Sequence, residues 1–255
     1  MGMKIVPLSA LRDNYIWAVQ TTQACVVVDP GDATPVNDYL AAQGLRLTAI
    51  LLTHRHHDHI GGVDALSRAH AVPVIGPRCS QMPQVSQVVE DGDRFFCCGI
   101  EESFEVLAIP GHTEEHLAYR LGSSVFCGDT LFGAGCGRLM GGTPAQFYAS
   151  LQRLAALPPE TRLYCAHEYT LANLHFARTV EADNPEVAAR QARCEALRAA
   201  GHPTVPLSLA EELATNPFLR LEQPAIAAQL AMRYGERIAS GEAAFAALRR
   251  WKDQF

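Results

Sequence analysis

Four of the ten histidines, His54, His56, His57 and His59, fall within six residues of Thr53-His54-Arg55-His56-His57-Asp58-His59. The stretch follows directly on the apolar run Ala49–Leu52. A short apolar run bounded by polar residues reads as a buried strand, so the imidazoles cluster where a strand ends. His54 and His56 are two apart and share one face of extended chain, which turns Arg55 and His57 away. Asp58 and His59 come where the chain bends toward a helix, before Gly61-Gly62. That split suggests two neighbouring metal sites. It differs from the His-Glu-x-x-His pattern, in which a spacing of four puts both ligands on one helix face.

The same arrangement recurs along the chain. Phe104–Ile109 runs into Pro110-Gly111-His112-Thr113, Val125–Cys127 into Gly128-Asp129-Thr130, and Leu163–Cys165 into Ala166-His167-Glu168. Each puts a His or Asp just past a buried run, and strand ends are where ligands gather in α/β proteins. Imidazole and carboxylate together suit zinc, iron and manganese. His116 reads as a packing group or a support for a ligand, not as a ligand. Glu168 reads equally as a residue orienting a ligand and as a cap.

Apolar runs at 4–8, 15–19, 25–28, 49–52, 104–109, 117–121, 125–127 and 163–165 predict strands, with helices at 34–43, 61–70 and 144–156 between them. After about residue 170 the pattern becomes helical, at 170–181, 186–200, 208–214, 224–235 and 242–252, with prolines as punctuation. The expected organisation is an α/β domain over 1–172 followed by a helical domain over 173–255. Charge divides in the same way. Residues 1–172 carry 17 acidic and 11 basic groups, whereas 173–255 carry 10 of each. The first part therefore lacks the basic excess of a nucleic-acid surface and suits a bound cation. No apolar run approaches the ~20 residues of a membrane span. The opening segment has one lysine and a strand-like pattern, not a leader's, so the cytoplasm is expected. Eight cysteines without a Cys-x-x-Cys pair read as buried free thiols, and Cys136 in Gly-Cys-Gly reads as part of a turn.

Thr53-His-x-His-x-Asp-His59, Pro110-Gly-His-Thr113, Gly128-Asp-Thr130 and His167-Glu-Tyr-Thr170 resemble the metallo-β-lactamase superfamily. Gly133-Ala-Gly-Cys-Gly-Arg138, Asn216-Pro-Phe-Leu-Arg220 and the tail Arg249-Arg-Trp-Lys-Asp-Gln-Phe255 narrow the resemblance to its glyoxalase II, or hydroxyacylglutathione hydrolase, family. The resemblance implies an αββα sandwich followed by a smaller all-helical C-terminal domain. It implies two zinc ions per chain, with iron or manganese as substitutes. His54, His56 and His112 would hold one metal, Asp58, His59 and His167 the other, and Asp129 would bridge them. Arg138, Tyr169, Arg249 and Lys252 would hold the glutathione part of a thioester.

The implied reaction is hydrolysis of S-D-lactoylglutathione, and of related 2-hydroxyacyl thioesters, to D-lactate and glutathione, a step of methylglyoxal detoxification. A hydroxide held between the two metals would attack, with Asp58 orienting it. The protein would act as a monomer, with no nucleic-acid or membrane partner. Arg249 and Lys252, three apart on a helical pattern, share a face, and Phe245, Leu248 and Trp251 form the stripe that anchors that helix. Two departures from the family stand out. Met140 lies where an aromatic is common, and Glu114-Glu115 lies where small residues are usual; both carboxylates are expected to face solvent. The rival readings are another superfamily enzyme (a one-iron glutathione persulfide dioxygenase, a lactamase or a nuclease) and a non-catalytic metal-binding module.

Overall fold

Branched side chains prefer the pleated sheet because their χ1 freedom is already restricted, and the first strands are built from them. In the computed structural model, which describes residues 2–255, β1 (Lys4–Ala10), β2 (Asn14–Gln20) and β3 (Ala24–Val28) form an antiparallel series. From β3 onward the pairing turns parallel, through β4 (Arg46–Leu51), β5 (Val74–Gly76) and β6 (Gln87–Val88). Parallel neighbours need a crossover, and two helices supply them: α1 (Ala33–Gln43) between β3 and β4, and α3 (Val63–His70) between β4 and β5. The short α2 (His57–Ile60) precedes α3. Asp32 caps α1 by accepting from the Thr34 amide, and Gly44 closes it in the left-handed region.

Val36 and Leu40 of α1 and Val63 and Leu66 of α3 pack with Ile16, Val27, Ile50 and Leu52 into one core. Each such side chain contributes about 1.5–3 kcal/mol on full burial. All five residues of β3 are buried, as in a strand covered on both faces. A second antiparallel series, β7 (Arg94–Phe95), β8 (Phe104–Ala108), β9 (Leu117–Leu121) and β10 (Ser124–Gly128), belongs to the same unit. The Tyr119 hydroxyl of β9 donates to the Leu52 carbonyl at 2.6 Å, and the Leu117 amide to the Thr53 carbonyl at 2.9 Å. These two bonds anchor β9 beside the end of β4, where the His cluster begins.

By contact the chain divides into two compact units, one up to Ala108 with Glu115–Gly128, the other Ile109–Glu114 with Asp129–Phe255. The helical segment expected after residue 172 thus clusters with the chain from Asp129 onward. The second unit holds the hairpin β11 (Leu131–Phe132) and β12 (Gly135–Cys136), then α4 (Pro144–Ala155), β13 (Arg162–Cys165) and α5 (Thr170–Val180). Next come α6 (Pro185–Ala199), β14 (Leu207–Ser208), α7 (Leu209–Thr215), a 3-10 turn at Pro217–Leu219, α8 (Pro224–Tyr234) and α9 (Glu242–Asp253). Thr143 and Gln146 form a reciprocal capping box at the start of α4, with Pro144 in its first turn. One strand interrupts the helical region: β14 pairs antiparallel with β13. Phe245 and Leu248 of α9 are fully buried and Trp251 nearly so, as the stripe predicts. No helix among the described residues is long and apolar enough to cross a membrane.

Six of the eight cysteines are buried; Cys79 is half-buried, Cys98 is exposed, and none is bonded to another. Burial pushes the thiols of Cys25 and Cys97 up to about 12, with Cys98 adding to the second.

Candidate metal centre

In the first unit the His cluster starts where β4 ends. His54 Nε2 and His56 Nδ1 lie 3.0 Å apart, and the His54 ring stacks on His116 with centroids 4.7 Å apart. His116 is thus a packing group for a candidate ligand, as expected. Asp58 and His59 occupy the first turn of α2. His59 Nε2 lies 3.5 Å from Asp58 Oδ2, and its ring centroid is 4.0 Å from that of His54. His57 opens α2 with its side chain exposed, whereas His59 is buried.

Two residues outside the expected set shape this cluster. Asp29 follows β3 with a left-handed φ of 53°, a conformation that costs a residue bearing a Cβ of order 1–3 kcal/mol. Its carboxylate accepts from the Thr53 amide at 2.8 Å and the Thr53 hydroxyl at 2.6 Å, and meets His59 Nδ1 at 3.0 Å. Ligand atoms of Asp29, His54 and His59 all lie within 4.8 Å of one another. Since both Asp29 oxygens already hold Thr53 and His59, we read Asp29 as fixing the His59 ring, leaving Nε2 to a metal. Asn14 does the same for Asp58, donating to its Oδ2 at 3.0 Å. The signal for Asp29 was present in Asp29-Pro30-Gly31 just past Cys25–Val28, the same carboxylate-after-strand pattern as Asp129. A Cβ on Gly31 would fall 1.9 Å from the Asp58 carbonyl oxygen, so that loop closes on α2 only with glycine.

The second unit carries the other three candidates. His112 Nε2 lies 3.5 Å from Asp129 Oδ2, and His167 Nε2 lies 3.4 Å from Asp129 Oδ1. One carboxylate thus sits between two imidazoles, one oxygen toward each. His112 Nδ1 is held by the Arg138 carbonyl at 2.7 Å. All three side chains are buried. A buried carboxylate facing two imidazole nitrogens, with the opposite ring nitrogen of His112 fixed by a carbonyl oxygen, fits a divalent cation of the zinc, iron or manganese kind.

The candidates for substrate contact differ among themselves. Tyr169 is partly exposed and stacks on His167, with centroids 4.6 Å apart and planes 5° from parallel. The Arg138 side chain is 74% exposed, its Nε 3.8 Å from Asp253. Lys252 Nζ donates to the Ala172 carbonyl at 3.4 Å and lies over the Phe176 and Phe255 rings. Burial, with the Arg249 charge beside it, lowers the Lys252 ammonium to about 8.

Arg249, expected to share a face with Lys252 and hold the glutathione part, is instead turned into the protein. It is 4% exposed, and its guanidinium donates to the Cys136 and Gly137 carbonyls and to Asp253. Helical spacing puts it beside Lys252, but α9 is buried on more than one face, and Arg249 lies on a buried one. Cys136 is buried, and its thiol is pushed up to about 11 by burial, against the opposing pull of Arg249; it belongs to β12 and has no nucleophile's environment. Glu168 accepts from the Thr204 amide at 2.9 Å and from the Thr204 hydroxyl. Glu114 is exposed as expected; Glu115 is not, and binds Arg55 instead.

Residues 11–78 match the family model of the metallo-beta-lactamase superfamily, and residues 168–255 that of the hydroxyacylglutathione hydrolase C-terminus. ETHE1 from Myxococcus xanthus shares the fold at a TM-score of 0.66 and 26% identity, over 99% of this chain and 98% of its own. TTHA1623, solved in a di-iron-bound form, is 34% identical with a TM-score of 0.55, covering 64% of this chain and 91% of its own. These likenesses define a metallo-β-lactamase fold. A hydroxyacylglutathione hydrolase of Alkalilimnicola ehrlichii is 52% identical over 253 residues, 98% of this chain and 99% of that one. The chain belongs to the hydroxyacylglutathione hydrolase, or glyoxalase II, family of that superfamily.

Proposed function

We propose that this hydrolase cleaves S-D-lactoylglutathione and related 2-hydroxyacylglutathiones to the hydroxy acid and glutathione, as a step of methylglyoxal detoxification. The observation that carries the reading is the intact set of seven His and Asp side chains, five just past strand ends and two in the first turn of α2, in a chain 52% identical to a hydroxyacylglutathione hydrolase over nearly its full length. In this reading the two groups of ligands complete one binuclear centre. His54, His56 and His112 hold one metal; Asp58, His59 and His167 hold the other; Asp129 serves both, which suits its two oxygens facing two imidazoles. We read the metals as zinc, with iron or manganese as substitutes, in keeping with an all nitrogen-and-oxygen donor set.

When bound, such a metal pair supplies Lewis acidity, which polarises a carbonyl and makes water nucleophilic near neutral pH. Asp58, fixed by Asn14, orients the attacking water. The acyl carbon gains the water's oxygen, the C–S bond breaks, and glutathione leaves as the thiolate, which takes up a proton. Arg138, Tyr169 and Lys252 hold the glutathione portion, whose two carboxylates need local cations on an acidic protein. The domain reading follows: residues 1–172 carry the chemistry, and 173–255 contribute the grip on substrate. The protein works as a monomer in the cytoplasm, where its cysteines stay reduced.

The test is hydrolysis of S-D-lactoylglutathione with metal content measured on the same sample. Turnover with about two metals per chain supports the reading, since seven ligands exceed one tetrahedral site. A fully metal-loaded protein inert toward the thioester would overturn it, and full activity with one metal would overturn the binuclear part.

A further inference from the structure

The hairpin β11–β12 is too short to hold itself. It has two cross-strand pairs, Leu131 with Cys136 and Phe132 with Gly135, and even longer isolated hairpins are marginal in water. Yet Leu131 to Gly137 is buried throughout, and Ala134 at its turn holds a left-handed φ of 54°. A residue with a Cβ reaches that conformation at a cost of order 1 kcal/mol or more, so the surrounding structure must impose it.

The surroundings that impose it are buried polar side chains from the helices of the same unit. Asn216 Nδ2 donates to the Phe132 carbonyl at 3.2 Å, the Gly135 carbonyl at 2.9 Å and Glu212 Oε2 at 2.9 Å. Glu212 Oε2 also accepts the Ala134 amide at 2.9 Å, and its other oxygen pairs with Arg190. Asn173 reaches the Gly133 carbonyl at 3.1 Å. At the base of the hairpin Arg249 grips the Cys136 carbonyl at 2.9 Å and the Gly137 carbonyl at 3.4 Å.

That base touches two candidate metal ligands. The Gly137 amide donates to the Thr130 carbonyl, next to Asp129, at 3.2 Å. A Cβ on Gly137 would lie 2.0 Å from the Asp129 carbonyl oxygen and 3.1 Å from His112 Nδ1. The next residue, Arg138, supplies the carbonyl that holds that same His112 nitrogen. A shift of the hairpin therefore moves both the backbone of Asp129 and the group that aims His112.

We propose that Asn216, Glu212 and Arg249 are positioning residues for metal binding, acting through the hairpin Leu131–Cys136 on Asp129 and His112. The inference rests on reading Asp129 and His112 as metal ligands. It gives the helical segment a second task beside holding substrate: setting the geometry of the metal site from behind.

The test measures zinc affinity of the full chain by competition with a chromogenic chelator, for the parent, Asn216→Ala and Leu230→Ala, the last a core truncation in α8. Partners that orient a metal ligand are worth about 10–100-fold in affinity, so Asn216→Ala should bind zinc at least about tenfold more weakly. The visible bands of its cobalt-loaded form should also shift. Leu230→Ala should lower the unfolding midpoint and keep parental affinity. Should Asn216→Ala not fold, Arg249→Lys keeps the charge but loses the fork, one nitrogen of which bonds the two hairpin carbonyls while the other bonds Asp253, and should weaken zinc binding several-fold. Parental affinity in whichever of these two variants folds overturns the proposal. So does an equal loss in Leu230→Ala, which would make the effect one of general stability. A parent that binds no zinc overturns the ligand reading itself, and this inference with it.

Discussion

Glu115 holds Arg55 at two points: one carboxylate oxygen accepts the Arg55 backbone amide at 3.1 Å, and the other meets its guanidinium. Arg55 lies between His54 and His56, so this clasp fixes the segment that carries two candidate ligands. Both side chains are largely withdrawn from solvent, at 20% and 11% exposure, where a charge-assisted bond is worth about 1.5–3 kcal/mol before screening. Glu115→Ala should lower the unfolding midpoint by a few degrees at this chain length, on the scale of roughly 2–4 °C per kcal/mol. It should also weaken metal retention against a chelator. A parental melting curve and parental retention would show the clasp to be idle.

His56 and His57 are adjacent but not equivalent. His56 faces His54 across 3.0 Å, while His57 is exposed at the start of α2. Loss of a true ligand should exceed the 10–100-fold typical of a residue that merely supports one. His56→Ala should therefore lower metal affinity by more than about a hundredfold, and His57→Ala should leave it near parental. Equal losses in the two variants would contradict the assignment.

Asp129 presents one oxygen to His112 and the other to His167. If it serves two metals, Asp129→Ala should cost more than removal of any single histidine. Elemental analysis should then find about one metal or fewer, against about two in the parent, with turnover lost. Near-normal turnover would place the bridge elsewhere.

If Lys252 holds a carboxylate of the substrate, it supplies a pH dependence. Its ammonium titrates at about 8, so below that pH it is charged and can pair with a carboxylate. Above it the pairing fades. The value of kcat/KM, which reports the free enzyme, should fall on the alkaline side with a pKa near 8, mainly through KM, because a contact remote from the thioester binds ground and transition states alike. Lys252→Ala should raise KM about tenfold at neutral pH and abolish that limb. The stability effect has the opposite sign. A lowered lysine pKa means that the unfolded chain binds the proton more tightly, so this group favours folding increasingly as pH rises through 8. An alkaline limb that persists unchanged in Lys252→Ala would assign it to another group.

The sequence carried the long elements well because they announce themselves by period and by caps. Helix α4 begins where Thr143-Pro144 says it should, and α5 through α9 lie within a residue or two of their apolar patterns. The strands β6, β7, β11, β12 and β14 have two residues each, too few for any periodicity to register. All seven proposed ligands stand beside a buried run, where the sequence points. What it does not show is how side chains remote in sequence converge. Asp29 follows a strand as Asp129 does, but its hold on Thr53 and His59 comes only with the fold, and Glu115 acts through a partner sixty residues away. Arg249 and Lys252 read alike on a helical wheel, yet one is sealed against the carbonyls of a hairpin and the other rests over two aromatic rings.

The buried thiols have a consequence for an enzyme whose product is itself a thiol. Mixed disulfides form by attack of a thiolate on a disulfide, so a cysteine that stays protonated takes no part in the exchange. With Cys25 and Cys97 held near 12 and Cys136 near 11, oxidised glutathione finds no partner among them at neutral pH. Cys98, open to solvent, and half-buried Cys79 are the thiols that a disulfide in solution can reach. An oxidising episode would then mark the surface of this chain and leave the packing behind its hairpin and its first sheet intact.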